Sequence, residues 1–182
     1  MIAFPSKLNC SILNHVSAEP YTLVRADQLK GNNEQVAEIV AICNQPEIYS
    51  WLFCKALNGA SYSAKNAQAW LDWSNDGWLA NTHFSFAVLD AKGQIVAACD
   101  IKSAEPKGAE IGYWSSVDAR GIMTNAVITM CNEARLANFK SLTARTLIDN
   151  WRSKGVLKRA GFYLDSSVKD EEFDHFVLRL DN

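Results

Sequence analysis

Residues 109–137, AEIGYWSSVDARGIMTNAVITMCNEARLA, contain the pattern from which we interpret the rest of the chain. The short apolar and aromatic run at 109–114 predicts a buried strand, and apolar residues at three- and four-residue spacing from Ile122 to Ala134 predict a helix. Gly121 lies in the turn between them. This order brings backbone N–H groups and the positive end of a helix dipole together, which suits a bound phosphate. Ordinary connections between elements have the same order, so the neighbouring motifs are needed to distinguish the two.

Four short motifs occur in order around and after this turn. They are EIGYW at 110–114, RGIMT at 120–124, NWRS at 150–153 and KRAGF at 158–162. Together they resemble the GNAT superfamily of acyl-CoA-dependent N-acetyltransferases, and within it the branch of the ribosomal-protein N-terminal acetyltransferases. The resemblance extends from about Tyr21 to the C-terminus and is strongest over Ala109–Phe162.

This resemblance implies an α/β (α+β) fold of the GNAT type. A mixed, mostly antiparallel central sheet is expected, flanked by helices on both faces and splayed at the two central parallel strands. Acetyl-CoA is the implied co-substrate, with no metal. The implied reaction moves an acetyl group to a primary amine by direct attack in a ternary complex. The acceptor, a protein N-terminus or a small-molecule amine, stays open.

The matching motifs also imply a set of cofactor contacts. Arg120 is the expected phosphate contact, because a guanidinium donates several hydrogen bonds to one anion. Asn150 matches an asparagine that meets the pantetheine amide, and Ser153 matches a serine that contacts the cofactor, although both residue types also cap helices and form turns. The full expected set is Trp114, Ser115, Arg120, Gly121, Ile122, Met123, Thr124, Asn150 and Ser153.

Glu110 and Ser153 are the candidates for catalysis. Glu110 is the candidate base, acting directly or through water, since a carboxylate in a partly buried cleft can have its pKa raised toward neutrality. A solvent-facing or ion-paired role is the alternative for Glu110. Ser153 is the candidate hydrogen-bond partner of the cofactor sulfur or of pantetheine. Many superfamily members use a tyrosine as the leaving-group acid, and the matching position here is Leu157.

The predicted phosphate loop departs from the pattern of the branch. That branch usually carries Arg-Gly-x-Gly before its helix, whereas Arg120-Gly121 runs directly into Ile122. A shorter loop presents fewer backbone amides to a pyrophosphate. Together with Leu157, this departure motivates an alternative function, a catalytically inactive GNAT-like binding or scaffold module. A Rossmann domain is excluded, because the chain has no GxGxxG step and no repeated βαβ units.

Composition narrows the class of protein further. A length of 182 residues fits one domain, and the resemblance implies a single GNAT-like acetyltransferase domain at 21–182 after an N-terminal arm at 1–20. A net charge of -2 argues against nucleic acid or membrane partners. Five scattered cysteines favour reduced thiols, and three distant histidines disfavour a metal site. A cytoplasmic monomer or homodimer is expected, since no long apolar segment is present.

Periodicity predicts the remaining elements. Helices are expected from Asn33 to before Pro46, at 64–75 and at 151–160, and strands at 21–25, 83–89, 94–102, 141–147, 162–164 and 175–180. The aromatic-rich segment at 49–78 matches the family's acceptor wall, although aromatic residues at helical spacing also belong to cores.

Overall fold

The computed structural model describes residues 1–180, in which eight strands form one sheet. In chain order the strands are β1 (Asn9–Leu13), β2 (Pro20–Arg25), β3 (Phe84–Leu89), β4 (Ile95–Ile101), β5 (Lys107–Ser115), β6 (Ser141–Leu147), β7 (Tyr163–Leu164) and β8 (Phe173–Arg179). They lie in the order β1-β2-β3-β4-β5-β6-β8-β7. Every neighbouring pair is antiparallel except β5 and β6, which are parallel. The predicted mixed, mostly antiparallel sheet is confirmed.

Five α-helices cover the two faces of this sheet. They are α1 (Asn33–Cys43), α2 (Pro46–Leu52), α3 (Ala64–Ala80), α4 (Ile122–Leu136) and α5 (Trp151–Arg159). Helices α1 and α3 contact each other and the β3–β4 hairpin, whereas α4 packs on β4 and β5 and contacts α5. Alternation along β5 sends Ala109 and Ile111 into the main core with α4, and Trp114 into a smaller core with α1 and α3. Helices on both faces are therefore confirmed.

Strands β5 and β6 separate along their length. Their pairing ends at Glu110 and Thr143, while β5 continues to Ser115 and β6 to Leu147. Beyond Glu110, β5 pairs with β4 alone among the described residues, so one edge of its backbone faces an opening. The splay predicted at the two central parallel strands is confirmed, and it positions the site described below.

Two helices differ from their sequence predictions. Periodicity predicts no helix after Pro46, yet α2 begins there, because a helix does not need the missing proline N–H in its first turn. Helix α3 starts with a capping box formed by Ser63 and Asn66. It extends to Ala80, beyond the predicted end at residue 75, and stops at Asn81 in the left-handed conformation (φ 55°).

Residues 1–20, expected as an arm, contribute β1 at the edge of the sheet beside β2. Ile2, Leu8 and Ile12 are buried in the main core, so this segment packs on the rest of the fold. The domain boundary at residue 20 remains a prediction.

The five cysteines all lie within residues 1–180, and none of them forms a disulfide. None of the helices within these residues combines the length and the apolar composition that a membrane-spanning segment needs. No group of three or more His, Cys, Asp or Glu side chains in this described part of the chain is arranged to hold a metal ion.

Candidate active site

A cavity of about 360 Å³ lies where β5 and β6 separate. It is bounded by the C-terminal half of β5 and by the starts of α4 and α5, with α2 at its mouth. Small-molecule sites usually have volumes of about 300–1,000 Å³, so the cavity is large enough for one. Its lining residues are Val16, Glu47, Ile48, Trp51, Leu52, Tyr113, Trp114, Ser115, Ser116, Val117, Arg120, Gly121, Met123, Thr124, Asn150, Trp151, Arg152, Ser153, Gly155, Val156 and Arg159.

The start of α4 presents backbone N–H groups to this cavity. Its N-cap residue is Gly121, whose φ of 106° is a backbone conformation that L side chains rarely adopt. No side chain among residues 1–180 caps the helix, and the first N–H groups of any α-helix have no partner inside it. The side chain of Ile122 is fully buried in the core. The uncapped N–H groups and the positive end of the helix dipole together favour an anion.

The turn between β1 and β2 holds this helix start in place. Asn14 is 4% exposed and donates from Nδ2 to the Arg120 carbonyl (3.2 Å), and the His15 N–H donates to the Gly121 carbonyl (3.2 Å). A Cβ atom on Gly121 would lie 2.4 Å from Asn14 Oδ1 and 2.8 Å from Val16 Cγ2. Glycine is therefore required here both by the backbone angle and by the close approach of the turn.

The start of α5 is built differently. Asn150 accepts a hydrogen bond at Oδ1 from the Ser153 N–H (3.1 Å), so the asparagine caps its own helix. The Ser153 hydroxyl lies 2.7 Å from the Tyr113 hydroxyl, and either group can be the donor. Burial raises the pKa of Tyr113 and outweighs the lowering effects of Ser153 and Arg159. The phenol is consequently protonated at neutral pH.

Positive charge is concentrated around the cavity. Arg120, Arg152 and Arg159 line it, and Glu47 is its one acidic lining residue among those that the structure describes. The whole chain, by contrast, has a net charge of -2. Arg159 Nε donates to Thr124 Oγ1 (3.1 Å) and so links α5 to the first turn of α4. This local excess of cations also favours an anionic ligand.

The acetyltransferase (GNAT) domain family matches residues 31–163, which is more than half of the chain. The chain belongs to this GNAT family. Its predicted resemblance to the superfamily is thereby confirmed, and ribosomal-protein acetyltransferases are among its structural neighbours. No curated protein has a significantly similar sequence.

Solved structures of several acetyltransferases share the fold. The ribosomal-protein-S5-alanine acetyltransferase of Vibrio fischeri has a TM-score of 0.70 at 17% identity, covering 95% of this chain and 98% of that one. The spermidine N-acetyltransferase of Vibrio cholerae, in complex with CoA and spermine, has a TM-score of 0.67 at 14% identity, with coverages of 88% and 95%. The microcin C7 self-immunity acetyltransferase MccE, in complex with acetyl-CoA and AMP, has a TM-score of 0.68 at 18% identity, with coverages of 87% and 92%.

The GNAT domain brings the predicted cofactor contacts to one place. All of them line the cavity except Ile122, whose side chain belongs to the core. Their roles in binding remain predictions. Tyr113, Arg152 and Arg159 also line the cavity and were missed, although all of them lie within or beside the quoted motifs. Glu47 could attract a cationic amine but was not selected as a site residue, because surface carboxylates are common; it lies in α2, a helix that the sequence did not predict.

Glu110 lies outside the cavity lining, and its pKa departs from the prediction. Its carboxylate accepts hydrogen bonds from Lys102 Nζ and from Arg145 Nε (2.8 Å). Burial raises the pKa of Glu110, but the hydrogen bonds and charges of these two cations outweigh burial and lower the pKa below its ordinary value. The expectation of a raised pKa was wrong, because two residues distant in sequence are brought to the same carboxylate.

The neighbouring carboxyl of Asp100 has the raised pKa that was expected of Glu110. Asp100 lies opposite Gly112 in the β4–β5 pair, and its Oδ1 is buried without a hydrogen-bond partner in the described part of the chain. Burial and the negative charge of Glu110 raise the pKa of Asp100 to about 6, in spite of the positive charge of Lys102. A Cβ atom on Gly112 would lie 3.1 Å from Asp100 Oδ2. The glycine of the EIGYW motif therefore makes room for this carboxyl group, which does not line the cavity.

Proposed function

We propose that this GNAT domain is an acetyl-CoA-dependent N-acetyltransferase whose acceptor is a primary amine. The observation that carries the proposal is a single cavity that combines an uncapped helix start, three arginines and an open strand edge. An acyl-CoA has the matching parts, since it carries phosphates at one end and a pantetheine arm whose amides can pair with a strand. The acetyl-CoA complex of an acetyltransferase with the same fold supports this choice of co-substrate.

The phosphates of acetyl-CoA are proposed to bind at Arg120 and at the backbone N–H groups of residues 121–124. The pantetheine arm then runs along the open edge of β5 toward Trp114 and Ser115, and past Asn150. The register pairs Trp114 with Ala98 of β4, so the N–H groups beside it that face the open edge belong to Tyr113 and Ser115. This placement puts the thioester near those two N–H groups and the Ser153 hydroxyl. The support for it is that β5 has no partner on this edge beyond Glu110 among the described residues.

The proposed reaction is direct attack by a neutral amine on the thioester carbon. A C–N bond forms, and backbone N–H groups near Trp114 stabilise the negative charge that develops on the carbonyl oxygen. The C–S bond then breaks, and the sulfur leaves with the electron pair. The surplus proton of the amine passes to water. The sulfur gains a proton from the Ser153 hydroxyl, which lies 2.7 Å from the Tyr113 hydroxyl that can replace that proton. The products are an acetylated amine and CoA.

Glu110 is retained in this proposal only as a base that acts through water. Its lowered pKa means that the carboxylate is ionised at neutral pH, but its two cationic partners also make it a weaker base. Glu110→Gln is expected to lower turnover with little change in acetyl-CoA affinity. Unchanged turnover at saturating substrates removes Glu110 from the mechanism.

The acceptor is proposed to enter at the mouth of the cavity beside α2. Trp51 and Trp151 are 39% and 72% exposed there and offer aromatic surface to an incoming amine. Both acceptor classes occur among the structural neighbours, in a ribosomal-protein enzyme and a spermidine enzyme. A test of activity must therefore include peptides with free N-termini and polyamines.

The deciding experiment titrates acetyl-CoA into the protein and then measures CoA release with a panel of amines. We expect micromolar binding, about -8 kcal/mol, that is weakened by Arg120→Ala and unchanged by Arg135→Ala, an exposed arginine near the other end of α4. The absence of binding at millimolar acetyl-CoA would favour the alternative, a catalytically inactive GNAT-like binding or scaffold module. Binding without turnover of any amine would favour the same alternative.

A second experiment tests the proton path. Ser153→Ala and Tyr113→Phe are each expected to lower turnover by about ten- to hundredfold, while acetyl-CoA affinity changes little. Since both groups act on one proton, the double variant is expected to be no slower than the slower single variant. Independent, additive losses would show that the two hydroxyl groups do not act together.

A further inference from the structure

One carboxylate of the chain bridges two arginines at the mouth of the cavity. Glu47 Oε2 accepts a hydrogen bond from Arg152 Nη1 and lies 3.4 Å from Arg120 Nη2. Arg120 comes just before α4, and Arg152 lies in the first turn of α5. An oxygen atom from α2 thus joins the two helix starts that face the cavity.

The docking of α2 explains why Glu47 reaches these arginines. Gln45, directly before α2, donates from Nε2 to Ser116 Oγ (3.1 Å) and accepts from the Val117 N–H (2.9 Å). These bonds attach the start of α2 to the loop that leads to Arg120. Glu47 is two residues further along the chain, so its position follows from this attachment.

The bridging carboxylate has the position of an anionic ligand. An oxygen between two guanidinium groups is the arrangement by which arginines bind phosphate. A phosphate group has more acceptor oxygens and more charge than a carboxylate, so it competes well for the same donors. Arg152 lines the same cavity as Arg120. Neither Glu47 nor Arg152 has a role in the reaction described above.

We infer that Glu47 competes with the acyl-CoA phosphates for Arg120 and Arg152, and that Arg152 is a second phosphate-binding residue. In the free protein Glu47 holds both arginines, and it releases them when a phosphate binds. The identity of the ligand rests on the proposed function. Arg152 also supplies hydrogen-bond donors in place of the backbone amides that the short phosphate loop lacks.

The exposure of these side chains sets the size of the expected effects. The side chains of Glu47, Arg120 and Arg152 are 44%, 64% and 45% exposed, and exposed ion pairs are weak and screened by salt. Removal of the competing charge is therefore expected to tighten binding only about two- to fivefold. Removal of Arg152 deletes a charged contact to the ligand and is expected to weaken binding about tenfold.

Calorimetric titration of acetyl-CoA at constant ionic strength tests the inference in four proteins: the unmodified chain, Glu47→Gln, Arg152→Ala and the double variant. We expect tighter binding by Glu47→Gln, weaker binding by Arg152→Ala, and a smaller gain from Glu47→Gln once Arg152 is absent. Glu172→Gln is the matched control, because it also breaks an exposed pair, with Lys55, away from the cavity lining. Its affinity should equal that of the unmodified chain.

Unchanged or weaker binding by Glu47→Gln would overturn the competition. A change confined to the KM of the amine would overturn it too, since Glu47 would then belong to the acceptor site. Inorganic pyrophosphate, used as a second probe, separates this test from that of the proposed function. Tighter pyrophosphate binding by Glu47→Gln supports the competition even if no acetyl transfer is found, whereas no pyrophosphate binding to any variant overturns it.

Discussion

Two helices begin at the same cavity, but in the part of the chain that the structure describes a side chain caps only one of them. Helix α4 begins at Gly121, with a left-handed backbone and no capping side chain, whereas α5 begins at Asn150, whose Oδ1 accepts the Ser153 N–H. The first start leaves N–H groups available to a ligand. At the start of α5, Asn150 already accepts the hydrogen bond of the Ser153 N–H, while the Ser153 hydroxyl pairs with Tyr113. A helix start is thus suited to an anion only where the chain does not cap it itself.

The two starts also differ in how they are held. The residues before α4 are bonded by Asn14 and His15, which come from a turn more than a hundred residues earlier in the chain. The cap of α5 lies three residues from the N–H that it accepts. We therefore expect changes at the α4 start to alter both folding and the phosphate site, and changes at the α5 cap to leave the phosphate site intact.

The largest effect is expected for Gly121→Ala. The positive φ and the collision with Asn14 together should lower the free energy of unfolding by about 2–4 kcal/mol. Because the phosphate-facing N–H groups shift as well, acetyl-CoA affinity should fall more than tenfold, about 1.4 kcal/mol or more. Urea unfolding and calorimetric titration measure the two quantities.

Gly93→Ala separates the cost of the positive φ from the cost of the collision with Asn14. Gly93 also has a positive φ, of 80°, but a Cβ atom there would meet nothing within 4 Å. Gly93→Ala is expected to lower the free energy of unfolding by only about 1–2 kcal/mol and to leave acetyl-CoA affinity unchanged. Equal losses of stability in the two variants would mean that the approach of Asn14 has no importance for Gly121.

Asn14→Ala is expected to have a smaller effect than Gly121→Ala on stability and on acetyl-CoA affinity. This change removes the partner of the Arg120 carbonyl and of the Val16 and Ser17 N–H groups, which should cost about 1–3 kcal/mol. Acetyl-CoA affinity should fall about threefold or more, since the phosphate loop is less well positioned. Full affinity in a destabilised Asn14→Ala protein would show that the turn supports the fold and not the site.

At the α5 start, Asn150→Ala should lower stability by about 1 kcal/mol through loss of the cap. Asn150→Asp keeps a capping oxygen and should restore that stability. If the asparagine also contacts pantetheine, as predicted, both variants bind acetyl-CoA more weakly. Normal affinity in Asn150→Asp would leave capping as its sole role.

The smallest effect is expected where the two helices are joined. Thr124→Val keeps the shape of this buried side chain and removes the oxygen that accepts from Arg159. The change should lower the free energy of unfolding by about 0.5–1 kcal/mol, the lower part of the range for one hydrogen bond. A loss of affinity as large as that of Gly121→Ala would contradict the view that backbone N–H groups, and not this side-chain link, form the anion site.

Elements with strong local signals were predicted closely. Strand β5 and helix α4 match the apolar patterns at 109–114 and from Ile122, because one face of each element packs into a core. Helix α2 was missed because it is seven residues long and starts at a proline that is also a stop signal. Strand β1 was missed because its extended state depends on pairing with β2.

The sequence predicted the site residues that lie in its motifs, but not the charge pairs formed by residues distant in the chain. The order of the motifs pointed to Arg120, Gly121, Asn150 and Ser153, which all line the cavity. The pKa of Glu110 was not predictable, since it depends on Lys102 and Arg145, eight and 35 residues away. The Glu47 bridge spans 73 residues to Arg120 and 105 to Arg152, and no local pattern marks it.

Local patterns and motif order were sufficient for the strand, the glycine turn and the helix that carry the predicted phosphate site. The reason is that apolar spacing and a positive φ are properties of neighbouring residues. Long-range packing settled which charges meet, which N–H groups stay uncapped and which carboxyl has a raised pKa. These properties depend on burial and on partners that only the folded chain brings together.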